Sequence, residues 1–188
     1  MRLLFHTGLL CILLSALSSA QTMPVPINVQ FPLLIKVLSF ERTLIGKAGN
    51  EIVIGILYYR KNKSSNDVHE EILDLVRSAK PKIGSSTVRC VPIEMNEGMD
   101  LSTQLNRYQI QALYITPMRA IDVESIASTC QSNHILSMTG VIDYLDSGIA
   151  LGVGIHQDKP QIIVNLSEAK AEGADFSSKL LRLAKIIE

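Results

Sequence analysis

Residues 51–59, EIVIGILYY, constrain the fold more than any other stretch of this chain. A strand with one wet face alternates apolar and polar residues. Here nearly every position is apolar and several are β-branched, so both faces must be covered. That requirement predicts a central strand with helices on each side. Ahead of it, Phe31, Leu34, Ile35, Leu38 and Ile45 recur at helical spacing, with Pro32 in the first turn. Behind it, a polar loop over 60–66 leads to Asp67-x-x-Glu70, a capping pattern that opens a helix carrying Val68, Ile72, Val76 and Ala79 on one face.

The same alternation continues. A strand is expected over 87–95, and Pro92 within it argues for a sheet edge, where a missing N–H does little harm. A short helix over 101–108, a strand over 110–116, a helix from Asp122 to about Gln131 and a strand over 134–139 follow. Residues 148–155 and 160–164 read as two strands joined by the hairpin loop His156-Gln-Asp-Lys159. The tail then gives Asn165 as a helix cap with Glu168 three residues on, Gly173 as a helix stop, and Asp175 as the cap of a last helix. Phe176, Leu180, Leu181, Leu183, Ala184 and Ile187 would form that helix's apolar face. Strands alternating with helices predict a single-domain, three-layer α/β/α fold with a mostly parallel, mixed sheet closed by a C-terminal β-hairpin and helix.

Residues 1–20 read as a secretory signal peptide: Arg2, an apolar run from Leu9 to Leu17, then Ser18-Ser19-Ala20 before a cut at Gln21. The domain is therefore expected over 21–188, and no apolar stretch after the cut is long enough to cross a bilayer. The 188 residues carry 18 basic and 18 acidic side chains, so no basic excess points to nucleic acid. Cys90 and Cys130 remain after cleavage. An even count in an oxidising compartment predicts a disulfide between them, worth about 4 kcal/mol by loop entropy.

The chemistry-bearing residues are sparse. His69, His134 and His156 fall in different segments without ligand spacing, so no metal is expected, and no cofactor motif is present. Gly148, Gly152 and Gly154 lie inside a strand-like run rather than between strand and helix, so they make no dinucleotide loop. No serine stands in a nucleophile elbow and neither cysteine has a histidine at a known spacing, so the chain does not read as an enzyme. One constellation remains. In open α/β sheets ligands sit outside the carboxyl ends of the strands. Those ends present Tyr59, Arg60, Thr116, Arg119 and Thr139, a set suited to a small anion. Leu33 and Val37 widen the apolar arc of the first helix beyond what one sheet contact needs, which leaves two readings: a partner or homodimer surface, or a core face covered by the C-terminal helix.

The tail also carries a family likeness. Asn165-Leu-Ser-Glu-Ala-Lys-Ala-Glu-Gly173, followed by Phe176-Ser-Ser-Lys-Leu-Leu-Arg-Leu-Ala184, resembles the C-terminal signature of the YfiR-like family of small periplasmic proteins. The likeness implies export to the periplasm of Gram-negative bacteria. It also implies a dimeric protein that represses an inner-membrane diguanylate cyclase by binding its periplasmic domain. Two features depart from the family pattern: Phe40-Glu41-Arg42 stands where many members have Trp-Pro, and no cysteine occurs between Ser137 and Gln161. The resemblance implies a regulator of a membrane signalling enzyme, a cyclase or sensor kinase. The strand-end residues point instead to a small-ligand module serving a transporter or receptor.

Overall fold

The computed structural model of the chain describes residues 23–47, 49–119 and 121–188; the signal peptide expected over 1–20 lies outside them. The elements run α1 (Ile27–Leu38), α2 (Arg42–Lys47), β1 (Glu51–Tyr58), α3 (Lys63–Ala79), β2 (Lys82–Ile83), β3 (Ser86–Glu94), α4 (Leu101–Arg107) and β4 (Ala112–Ile115). They continue with α5 (Val123–Asn133), β5 (Leu136–Thr139), a 3₁₀ helix (Ile142–Ser147), β6 (Leu151–His156), β7 (Lys159–Asn165), α6 (Leu166–Ala171), α7 (Ser178–Leu181) and β8 (Lys185–Ile187). The strands form one mixed sheet in the order β2-β3-β1-β4-β5-β6-β7-β8, and the block β3-β1-β4-β5-β6 is parallel throughout.

β1 sits third in the sheet with both faces covered, as its composition requires. Ile52, Ile54 and Ile56 enter a core with Phe31, Leu34, Leu38, Val68 and Ile72 from α1 and α3. Val53 and Leu57 enter a second core with Leu105, Ile126 and Cys130 from α4 and α5. The expected three layers are thus present. A buried polar contact fixes α1 on its side: the Tyr114 hydroxyl donates to Gln30 Oε1 at 2.6 Å, and Gln30 Nε2 donates to the Val25 carbonyl at 3.1 Å. Gly140 must be glycine here, because a Cβ would lie 2.2 Å from Gln30 Oε1.

The edges follow sequence logic. Among the described residues β2 pairs only with Ser86 and Thr87, which leaves the outer side of β3 open where Pro92 stands. Thr87 N–H and Met95 N–H both point to β1, which places Pro92's missing donor on that open side. At the other end, Gln157 and Asp158 both take positive φ (49° and 58°), the two-residue hairpin turn that suits twisted strands. Asn165 caps α6 by accepting from Glu168 N–H at 3.4 Å, and Gly173 has φ +85° after it.

Several boundaries differ from the sequence reading. α1 starts at Ile27, with Pro32 inside it, and ends at Leu38. α3 begins at Lys63 rather than Asp67, because Asn62 already accepts from Ser65 N–H at 3.1 Å. Glu168 does not close a capping box, since its carboxylate accepts from Gln131 Nε2 instead. The last helix is the largest difference. Ser177, not Asp175, caps α7, which lasts four residues. The β-branched pair Ile186-Ile187 then forms β8 parallel to β7, leaving Leu183 69% exposed.

The expected Cys90–Cys130 disulfide is not formed; both are free thiols. Cys90 on β3 packs against the core under α3, whereas Cys130 on α5 is in the opposite core, so the sheet stands between them. A bridge needs Cα atoms within about 7 Å. Burial pushes the Cys90 thiol up to about 12 and the Cys130 thiol well above its usual range. Denatured, non-reduced protein beginning at Gln21 should titrate with two thiols, and the native protein should react slowly at both. A single population without free thiol would show that the two are bridged.

Glu172 joins the tail to the sheet. Its buried carboxyl accepts from Ser137 N–H at 2.8 Å and Ser137 Oγ at 2.5 Å, and Ser137 Oγ accepts from Ala150 N–H at 2.9 Å. Burial raises the Glu172 pKa to about 8, against about 4.3 in an unfolded chain. The folded state therefore holds a proton the unfolded state releases. This contribution is fullest below about pH 4.3 and is lost as pH rises through about 8. Glu172→Gln should fold normally and abolish that decline, read as denaturation midpoints between pH 5 and 9. Glu172→Ala should cost about 1–3 kcal/mol.

Candidate functional site

The strand order reverses at β1: the chain winds to β3 on one side and to β4 on the other. In doubly wound sheets the crevice at such a reversal, outside the carboxyl ends of the strands, is where ligands sit. A cleft of about 520 Å³ opens there, lined by Tyr59, Lys61, Asn62, Lys63 and Ser64 after β1 and by Pro117 and Arg119 after β4. An adjoining cleft of about 600 Å³ shares Tyr59, Lys61 and Arg119 and continues past Glu94 and Asn96 to Asp122.

Of the five residues singled out from sequence, two line the cleft: Tyr59 and Arg119. Thr116 is fully buried. Its hydroxyl donates to the Leu57 carbonyl at 2.8 Å and meets Ser65 Oγ at 2.6 Å, while Ser65 Oγ accepts from Tyr59 N–H at 2.8 Å. With the Thr116 proton committed to Leu57, Ser65 is the donor between the two hydroxyls. This chain fastens the first turn of α3 to the ends of β1 and β4. Thr139 is also fully buried, donating to the Ile115 carbonyl at 3.0 Å and accepting from Val141 N–H at 3.0 Å. Both threonines are scaffold and not ligand contacts. A hydroxyl at a strand end more often serves its own backbone, and sequence alone does not show which way it turns.

Arg60 is also committed elsewhere. Its Nε lies 3.1 Å from both Glu94 oxygens, and its terminal nitrogen lies 2.9 Å from Glu94 and 3.1 Å from the Tyr58 hydroxyl. Arg60 holds the Glu94 carboxyl below its ordinary range. Burial, and then Glu94, raise the Tyr58 phenol.

Sequence reasoning missed Lys61, which forms no ion pair among the described residues; Lys63 beside it is held by Asp67 at 2.5 Å. Lys61, Arg119 and the start of α3 give the cleft a positive character that suits a carboxylate or phosphate oxygen. The signal that would have found Lys61 is the strand order itself, which no local pattern displays. Among the described residues no group of three His, Cys, Asp or Glu side chains is placed to hold a metal.

The surface expected at Leu33 and Val37 is also revised. Val37 is fully buried in the core and Leu33 is half-buried against it. The outward stripe of α1 is instead Val29, Pro32, Leu33 and Lys36, with Val29 45% exposed.

Comparison with known proteins places this architecture. The model of the YfiR/HmsC-like family matches residues 57–185. The chain belongs to that family. A search of curated proteins finds no match. Among solved structures, an ABC domain in complex with L-Trp from Streptococcus pneumonia aligns with TM-score 0.56 and 15% identity, over 86% of this chain and 60% of that one. A conserved domain protein from Vibrio cholerae aligns with TM-score 0.61 and 10% identity, over 87% and 60%. A substrate-binding protein with adhesive properties from Clostridium difficile, in its ligand-free open form, aligns with TM-score 0.52 and 16% identity, over 81% and 59%. At these identities the likeness is one of fold. The YfiR/HmsC-like chain spans about three fifths of the length of each neighbour. No helix of the described residues is long and apolar enough to cross a membrane.

The assignment of Thr116 to the scaffold is checked by substitution. Thr116→Val should lower stability by about 1–3 kcal/mol, because it strands the buried Ser65 hydroxyl. Arg119→Ala should stay within about 0.5 kcal/mol of wild type. Denaturant unfolding measures both.

Proposed function

We propose that this protein is an exported, non-enzymatic regulator that restrains an inner-membrane signalling enzyme, a diguanylate cyclase or a sensor kinase, by contact with its periplasmic part. Membership of the YfiR/HmsC-like family is the observation that carries the reading. The leader-like residues 1–20 supply the route to that compartment. The outward stripe of α1 supplies a contact surface. Val29, Pro32 and Lys36 recur at helical spacing and are exposed, with Leu33 half-buried among them. Apolar side chains grouped on a wet helix face mark protein contacts, with a membrane partner or with a second copy in a homodimer.

A second reading rests on the cleft at Tyr59, Lys61 and Arg119: a periplasmic small-ligand-binding module serving a transporter or receptor. The two readings separate by substitution. Val29→Lys with Leu33→Lys should leave the fold intact and reduce co-purification with the membrane enzyme at least tenfold. Lys61→Ala with Arg119→Ala should leave it unchanged. Retained co-purification of a folded stripe variant removes α1 as the contact. Loss of co-purification in the cleft variant alone shifts the assignment to the ligand reading.

A further inference from the structure

His69 is a buried group that the packing of the fold does not account for. It lies on α3, 5% exposed, and among the described residues neither ring nitrogen has a hydrogen-bond partner. Buried polar atoms in folded proteins are nearly always paired, so an imidazole with both nitrogens unmet calls for an explanation. What the ring does have is a stack: it lies on Tyr58 with centroids 3.8 Å apart and planes within 10°. The stack seats a flat ring tight against the sheet. A leucine or phenylalanine would fill the same seat without the desolvation cost of two nitrogens.

We propose that His69 makes the seating of α3 proton-dependent: neutral, it stacks on Tyr58 and holds the first half of the helix down; charged, it leaves the seat and frees that half together with the cleft wall it carries.

The groups around it support two positions for the ring. β1 and the residue pair after it bring Tyr58 and Arg60, and β3 brings Glu94. On its own helix Glu70 places a carboxylate oxygen 3.6 Å from Nδ1, too far for a hydrogen bond in the buried position, with a side chain that is itself exposed. The only charged residue of α1, the other helix packed against α3, is Lys36, which faces solvent. The buried ring therefore has no acceptor for a second N–H, while an outward ring can pair with Glu70. Burial first, and then Arg60, depress the histidine's proton affinity, against the opposing pull of Glu70 and Glu94.

The coupling to the cleft is covalent and short. Ser65 stands one helical turn before His69 on the same face, and it is the residue that ties α3 to Tyr59 and Thr116. Asn62, Lys63 and Ser64, immediately before it, form one wall of the cleft. Lifting the turn that contains His69 loads the Ser65 anchor and moves that wall.

The sign follows from linkage. An imidazole whose folded-state pKa is depressed contributes stability that is present above about pH 6.5 and is lost as pH falls below it. Opening of the first half of α3 should then rise by up to about tenfold per pH unit below 6.5.

The experiment is hydrogen exchange of the purified protein between pH 7.5 and 5, corrected for intrinsic rates, alongside an NMR titration of the His69 ring. The expected result is a ring midpoint below 6.5 and an acid-driven loss of protection across residues 65–72. His69→Phe keeps the stack and should make that protection independent of pH; His69→Gln, neutral and smaller, is the second variant. A ring midpoint at or above 6.5, or the same acid response in either variant, overturns the proposal. If neither variant folds, the wild-type titration and exchange decide it alone.

Discussion

Both hydrophobic layers depend on one strand. β1 sends Ile52, Ile54 and Ile56 to one face and Val53 and Leu57 to the other, so each core is nailed to the same backbone. Gly55 is the gap in that series, and for a steric reason: a Cβ there would lie 2.9 Å from Leu113 Cδ1 and 3.0 Å from Ile93 Cδ1. Because the chain leaves β1 in one direction and returns on its other side, the helices that follow β1 and β4 lie on opposite faces of the sheet. The space between their beginnings cannot be filled by either. The strand that makes the cores possible therefore also makes the cleft unavoidable.

The polar groups that fold inward are concentrated at seams between layers. Gln30 and Tyr114 join α1 to the middle of the sheet, Ser65 and Thr116 join α3 to two strand ends, and Glu172 joins the tail to β5. Glu41 does the same at the corner after α1, accepting from Thr43, Leu44 and Asp175 N–H groups. Apolar contacts are not directional and allow helices to slide. A buried hydrogen bond with no water to replace it permits one register.

The layers were legible in the sequence because periodicity reports burial. The unbroken apolar run of β1 and the spaced stripe of α3 could belong to little else, and Pro92 correctly marked an open strand edge. The tail misled for the same reason. Leu180, Leu181, Leu183 and Ala184 fit a helical face, but Ile186 and Ile187 fit a strand equally well, and only the neighbouring edge of β7 decides between them. The site was legible by position more than by residue. Its place at the strand ends followed from the alternation of elements, whereas the inward turn of Thr116 and Thr139, the capture of Arg60 by Glu94 and the exposure of Lys61 depend on partners remote in sequence. Val37 shows the limit of a helical wheel: it belongs to the core that α1 shares with α3, the sheet and the tail, and the exposed side of the helix lies at Val29, Pro32 and Lys36 instead.

The family match begins at residue 57, so α1 and nearly all of the central strand precede it. What the fold asks of these earlier residues is loose in kind: an apolar run that alternates between two cores, and a helix with one buried face and a glutamine at Tyr114. Many sequences meet such terms. The outer side of α1 is asked for less still, since Val29, Pro32 and Lys36 support nothing beneath them. A scaffold arranged in this way separates two kinds of information. The buried side of α1 and the strands carry the shape, and the outer face of that helix is left as a surface that can be rewritten without disturbing it.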